Sequence, residues 1–324
     1  MDVSPGQDGI AFGFTGIASF LRAQICQDVN QLDADIAIVG APIDEGSPFL
    51  PGSRFGPRSI REHSMRFVTD PPGIYDPQSR LRILEREMAG NRIADCGDAT
   101  ILPTNVAGSF RNITDLVAGV LRKDALPVVV GGDHAITFPA VRAFADHGPL
   151  HIVHFDAHLD YMPFIHGMEY TNQHAFRHIR RMDNVRTLAQ AGIRSLRGSQ
   201  VMLEDSLRDG NRVVTMNDFR RDPAESLIAG IPAGARCYVS IDIDVLDLPL
   251  VPGCVSAEPD GMTYPQLRDS LRVLAEHTQI VGFDLVEVNP VVDLRTGVTS
   301  YLAAHLIIEF LGMITGQPAW QAGR

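Results

Sequence analysis

The sequence predicts an α/β fold with three α/β/α layers, doubly wound around a mostly parallel eight-stranded sheet, on three observations. Eight short apolar, β-rich runs recur along the chain. Longer helical patterns lie between them. Several of the runs are apolar throughout instead of alternating, which is the mark of strands covered by helices on both faces. Taken in order, the strands are expected at residues 35–40, 92–95, 126–131, 150–155, 187–193, 212–216, 237–242 and 280–288. The helices are expected at 57–67, 112–122, 139–146, 264–277 and 300–315, the first opening on Pro57, where a missing amide proton costs nothing. Repetition of strand and helix with right-handed crossovers then gives the doubly wound arrangement. The Gly/Pro-rich stretches 48–57 and 249–261 become loops at strand ends, where function is carried.

Composition narrows the possibilities. The 324 residues, 45% hydrophobic, contain no linker-like or low-complexity interruption and no internal period, so a single domain over 1–324 is expected. A formal charge of -11 argues against a nucleic-acid partner and leaves a small cationic substrate welcome. Cys26, Cys96, Cys237 and Cys254 lack paired zinc spacing and read as reduced thiols of a cytoplasmic protein. The start, Met1-Asp2-Val3-Ser4-Pro5, lacks a basic region with an apolar stretch behind it, and no run approaches the roughly 18 apolar residues of a membrane span. Neither secretion nor membrane insertion is expected.

Chemistry concentrates at the ends of three strand runs. These are Val128-Val129-Val130-Gly131-Gly132-Asp133-His134, Ile152-Val153-His154-Phe155-Asp156-Ala157-His158-Leu159-Asp160, and Tyr238-Val239-Ser240-Ile241-Asp242-Ile243-Asp244. In an extended strand alternate side chains share a face, so Asp156, His158 and Asp160 can point one way, as can Asp242 and Asp244. Any one Asp reads as a helix cap or a turn. Three such clusters, each at the carboxyl end of an apolar run where open parallel sheets bind ligands, read as a metal site. With His134 the set is four carboxylates and two imidazoles, hard oxygen and nitrogen donors that suit Mn²⁺ better than a thiolate-loving metal.

With these segments in place, the chain resembles the ureohydrolase family, the arginase and agmatinase group of Mn²⁺ enzymes that release urea from guanidino compounds. The likeness runs through Phe14-Thr15-Gly16-Ile17-Ala18-Ser19-Phe20, Gly40-Ala41-Pro42-Ile43-Asp44 and Pro51-Gly52-Ser53-Arg54-Phe55-Gly56-Pro57-Arg58-Ser59-Ile60-Arg61. It takes in the three metal segments and ends at Asp284-Leu285-Val286-Glu287-Val288-Asn289-Pro290. The resemblance implies an arginase-like fold with two Mn²⁺ ions per subunit, held by His134, Asp156, His158, Asp160, Asp242 and Asp244, with Asp156, Asp160 and Asp242 or Asp244 bridging or chelating. Two close cations lower the pKa of a water between them far below its bulk value. The resemblance also implies that Glu287 grips the guanidinium by paired, charge-assisted hydrogen bonds. Assembly as a homo-oligomer, a trimer or hexamer, is implied as well.

The chain departs from the family pattern after Asp160. Relatives place a proton-shuttling His in that loop. Here an ungapped alignment on Phe176 puts Asn172 at the position, and a gap moves it to His174. Only an imidazole carries a proton near neutral pH, so His174 is expected to protonate the leaving amine, with His166 and His178 as substitutes and Asn172 left as a substrate contact. His151 and His154 fall inside a strand run and read as satisfied core residues. Ala135 stands where relatives often have Ser. Gly192-Ile193-Arg194-Ser195, in place of an arginase-like Gly-Leu-Arg-Asp, points to the agmatinase side. Agmatine, 4-guanidinobutyrate, 3-guanidinopropionate and guanidine all remain open. A distal amine would be received by Glu45 or Glu169, a distal carboxylate by Arg177 or Arg180. The expectation is therefore a manganese-dependent, agmatinase-like amidinohydrolase. The alternatives are a guanidino-acid hydrolase and a non-catalytic metal-binding regulatory subunit.

Overall fold

The computed structural model describes residues 13–67 and 71–323; the reading of residues 1–5 lies outside them. Among the described residues eleven strands follow one another: β1 (Gln24–Ile25), β2 (Ile36–Ala41), β3 (Ile74–Asp76), β4 (Leu81–Ile83), β5 (Ile93–Asp98), β6 (Leu126–Gly131), β7 (Leu150–Phe155), β8 (Val185–Ile193), β9 (Arg212–Thr215), β10 (Arg236–Asp242) and β11 (Gln279–Val286). Nine form one parallel sheet in the order β1-β5-β2-β6-β11-β10-β7-β8-β9, and β3 and β4 make a separate antiparallel hairpin. The three-layer doubly wound expectation holds, with nine strands where eight were expected. The ninth is β1, two residues paired only to β5, too short for any hydrophobic pattern to register.

Both faces of the sheet are covered, which explains the apolar strands. Val128 and Val130 pack into one core with Val153 and Phe155, while Val129 and Ile152 pack into a second core on the opposite face. The first core is closed by helices Gly56–Ser64, Tyr264–His277 and Val298–Thr315, and the second by Val106–Leu121 and Thr137–Arg142. Helix 264–277 begins where expected because Thr263 and Gln266 form a reciprocal capping box. Val106–Leu121 begins six residues earlier than its pattern suggested, since Asn105 caps it by accepting from Gly108 N. Val298–Thr315 revises another expectation: its 18 residues, at mean hydropathy 1.5, are long and apolar enough to cross a bilayer. Here 61% of them are buried against this protein's own core.

One buried ion pair ties the sheet's edge to its covering layer. Arg61, on helix 56–64, donates from Nε and Nη2 to Asp95 (2.8 and 3.0 Å), from Nη1 to Asp98 (2.6 Å) and from Nη2 to the Gly97 carbonyl (2.9 Å). Asp95 also accepts from Phe20 N. Removing the guanidinium strands a buried carboxylate, so Arg61→Ala is expected to lower unfolding stability by about 3–5 kcal/mol, read as a fall in the urea midpoint at constant slope.

Candidate metal centre

The sheet order sets β6, β11, β10 and β7 side by side, and the candidate residues sit at the carboxyl ends of these four. Ile241 of β10 is paired with Phe155 of β7 and Leu285 of β11, and Leu285 with Val130 of β6, so the four strands run out at one level. Gly132 allows the β6 end to close on its neighbour: a Cβ there would lie 1.9 Å from the Ile43 carbonyl. Strand alternation does not carry the side chains as expected. β7 stops at Phe155 and β10 at Asp242, and the following residues turn, with Asp160 at φ 45° and a 3₁₀ turn over Ile243–Val245. The ligands converge through these turns. Glu287, at φ 65°, is a second non-glycine residue held in the left-handed region, a strain of order 1–3 kcal/mol each that persists where the surroundings enforce it.

The six residues fall into two groups joined by Asp156. His134 Nδ1 faces Asp156 Oδ2 at 3.0 Å, Asp160 Oδ2 at 3.1 Å and Asp242 Oδ2 at 3.2 Å. His158 Nδ1 faces Asp156 Oδ1 and Asp244 Oδ2, both at 3.1 Å. Asp242 therefore belongs with His134 and Asp244 with His158, separating two residues that the sequence left interchangeable.

Outer contacts fix which imidazole nitrogen is free. Ser240 Oγ donates to Asp284 Oδ1 (2.7 Å) and so accepts from His134 Nε2–H (3.0 Å), leaving Nδ1 as a lone-pair donor aimed at three carboxylates. His154 plays a similar part for Asp156. Ser206 donates to Gln190 Oε1 (2.7 Å), so Gln190 Nε2 lies against His154 Nδ1 (3.2 Å), and His154 Nε2–H donates to Asp156 Oδ2 (2.7 Å). Stacked on Phe176 at 3.6 Å and pushed down to about 4 by burial, His154 is a neutral core residue, as expected, but one that positions a ligand. His151 bonds Thr187 and takes no part.

The electrostatics show what the cluster lacks. Burial and the charge of Asp156 push Asp160 up to about 6. Burial and the charges of Asp244 and Asp156 hold Asp242 well above the usual carboxylate range, and burial takes Glu287 up to about 7. Burial works against charge on both imidazoles, but the carboxylates prevail, raising His134 well above its ordinary value and His158 to about 12. So much buried negative charge calls for cations. His134 Nδ1 and Asp244 Oδ2 are buried without a hydrogen-bond partner, which a folded chain tolerates where something else supplies the contact. The orphaned atoms and the hard O/N donor set fit a pair of divalent ions.

A cavity of about 130 Å³ opens beside this cluster, with Asp160, Asp242, Glu287 and Asn172 on its wall. His174 is not on the wall. It is fully buried, accepts or donates at Nδ1 with Thr171 Oγ1 (2.7 Å), stacks on Phe164 and is held below its ordinary pKa by burial. His174 Nε2 is buried without a hydrogen-bond partner, off the cavity wall, whereas Asn172 stands on the wall. Of the substitutes, His166 is exposed, and His178 bonds the Glu169 carbonyl and stacks on Phe138. The distal-group candidates also point elsewhere. Arg177 is bound to Asp205 and the Tyr161 carbonyl, Arg180 to the Asp209 carbonyl, and Glu45 and Glu169 are exposed off the wall.

Two residues near the site were not singled out from sequence. Cys254 Sγ lies within 4.8 Å of ligand atoms of Asp242 and Asp244, its thiol pushed well above the usual range by burial and these carboxylates. Arg197 stands on the cavity wall, Nη2 2.8 Å from His158 Nε2 and Nε 2.9 Å from Glu258 Oε1. Neither lies in a periodic or strand-end pattern. All four cysteines are unpaired.

Comparison with known proteins agrees with this architecture. The Arginase family model matches residues 34–312. Proclavaminate amidinohydrolase of Streptomyces clavuligerus is 31% identical, covering 92% of this chain and 93% of its own. Its solved structure superposes with a TM-score of 0.83 at 29% identity, over 94% of this chain and 99% of that one. Guanidinobutyrase of Pseudomonas aeruginosa is 33% identical over 94% of each chain, and agmatinase of Pyrococcus horikoshii is 32% identical over 88% of this chain and 94% of its own. With its parallel sheet, its strand-end acids and a match over most of its length, the chain belongs to the arginase family.

Proposed function

We propose that this protein is a binuclear manganese amidinohydrolase that cleaves the carbon–nitrogen bond of a linear guanidino compound, giving urea and an amine. One observation carries the reading: Asp156 turns one oxygen to His134 and the other to His158, so that two donor groups share a carboxylate at the end of the substrate-sized cavity. When bound, a pair of cations supplies Lewis acidity that ionises water near neutral pH and offsets the acids' mutual repulsion. The chain's own residues do the rest. His134, Asp156, Asp160, Asp242, His158 and Asp244 hold the pair. Glu287, pinned by its backbone N–H to the Gly132 carbonyl (2.9 Å) and by Oε1 accepting from His134 N (2.9 Å), orients the guanidinium plane. In the overall reaction the oxygen of one water ends in urea and its two protons end on the leaving amine.

The segment 192–195, which suggested the agmatinase side, works as scaffold: Arg194 Nη2 donates to the Asp244, Leu246 and Glu258 carbonyls (2.8, 3.1 and 2.9 Å), holding the loop behind β10. Agmatine and short guanidino acids both fall within the reading.

Urea release from a guanidino panel tests it. Activity is expected to vanish on chelation and return with added Mn²⁺. His174→Asn is expected to keep kcat within about threefold, since the ring lies off the cavity wall. Asn172 on that wall, with no imidazole but His158 there, favours one second reading, a metal-holding chain without turnover. Urea from no compound of the panel would support that reading and overturn the hydrolase.

A further inference from the structure

The outer wall of the cavity carries one arginine and no acid of its own. Its three lining carboxylates, Asp160, Asp242 and Glu287, all sit at the metal end, and Arg197 is the only Lys or Arg among the described lining residues. A substrate that lays its guanidinium against Glu287 presents its other end to Arg197, and an ammonium there would meet a cation. We infer that Arg197 receives a distal carboxylate, making this protein a guanidino-acid hydrolase with little use for agmatine. The inference rests on the amidinohydrolase reading and deepens it.

Three features of Arg197 carry the argument. It is held in place: Nε donates to Glu258 Oε1 (2.9 Å), Nη2 donates to the Ser256 carbonyl (2.7 Å), and its own N–H bonds Ser195 Oγ (3.1 Å), so little ordering is needed on binding. Glu258 is in turn occupied, its Oε1 accepting from Ser195 Oγ (2.8 Å) and from Arg197 Nε (2.9 Å), which leaves it a poor receptor for a substrate amine. Arg197 Nη2 also lies 2.8 Å from His158 Nε2, which sets its planar fork beside the metal end of the cavity, and such a fork matches a carboxylate. The cavity's volume suits such a compound: at about 10–15 Å³ per water-sized atom it accommodates roughly ten heavy atoms, the size of 4-guanidinobutyrate.

The test is a comparison of 4-guanidinobutyrate, 3-guanidinopropionate and agmatine on the Mn²⁺-loaded protein and on Arg197→Met and Arg197→Lys, by urea release and by calorimetric binding. At least one guanidino acid is expected to exceed agmatine in kcat/KM by about 100-fold. Arg197→Met is expected to raise KM for the acid 10- to 100-fold with kcat changed less than fivefold and to lower KM for agmatine, whose ammonium no longer meets a cation, and Arg197→Lys is expected to recover part of the loss for the acid. Better turnover of agmatine than of either acid overturns the inference. So does an equal fall in kcat for acid and amine in Arg197→Met, which would make Arg197 a support for His158 alone. If no compound yields urea yet 4-guanidinobutyrate binds more tightly than agmatine, the hydrolase reading fails and the carboxylate site stands. Equal binding of the two removes the site as well.

Discussion

Asp156→Asn is expected to abolish urea release, a loss of at least about 10⁴-fold in kcat, equivalent to roughly 5.5 kcal/mol of barrier. The size of the effect follows from geometry. Asp156 is the one residue whose two oxygens serve different groups, Oδ2 facing His134 and Oδ1 facing His158. An amide keeps the shape but offers one weak acceptor in place of a shared charge, so neither group retains its donor set. Two outer contacts make the change worse. His154 Nε2–H and the His158 backbone N–H both donate to this carboxylate (2.7 and 2.5 Å), and an amide nitrogen turned toward either would set donor against donor. Activity within tenfold of the unmodified protein would show that Asp156 does not join the two groups.

Glu287→Gln carries the second largest expectation: a fall of about 10²–10³-fold in kcat/KM with the metal content unchanged. Glu287 belongs to neither imidazole-centred group. Its Oε1 accepts from His134 N and its own N–H reaches Gly132, so its place on the wall is set by backbone contacts that a glutamine can also make. What the glutamine cannot supply is a charged, two-oxygen acceptor for the guanidinium. Metal analysis beside steady-state kinetics separates the cases: a variant that loses metal along with activity would place Glu287 among the metal-holding residues.

How much of this was legible in the sequence depends on how local the signal is. Asp156, His158 and Asp160 lie within five residues, and Asp242 and Asp244 within three, so residue type and spacing alone exposed them. Their division into two groups was hidden, because it depends on where β7 and β10 stop and on the left-handed turn at Asp160. The apolar runs revealed the sheet through burial of both faces, whereas β1 is two residues long and carries no period. His174 looked like the better proton carrier on chemical grounds. The fold packs its ring against Phe164, bonds its Nδ1 to Thr171 and leaves Nε2 buried off the cavity wall, a placement that spacing does not encode. Arg197, in a stretch with no pattern, enters the site only because loops 194–198 and 254–258 meet beside His158. The partners that select the imidazole tautomers are Ser240 with Asp284, between neighbouring strands, and Gln190 with Ser206, between strand and helix, contacts that spacing does not encode.

Manganese bound per chain at equilibrium, measured by dialysis and elemental analysis together with thermal stability, tests the central claim most directly. Two ions per chain are expected for the unmodified protein and fewer than one for Asp156→Asn. Saturation at about 100 times the dissociation constant is expected to stabilise the unmodified fold by about 2.7 kcal/mol for each ion bound and to leave the variant nearly unmoved. A chain that binds no more than a trace of metal, or binds two ions equally well without Asp156, would contradict the shared two-ion centre.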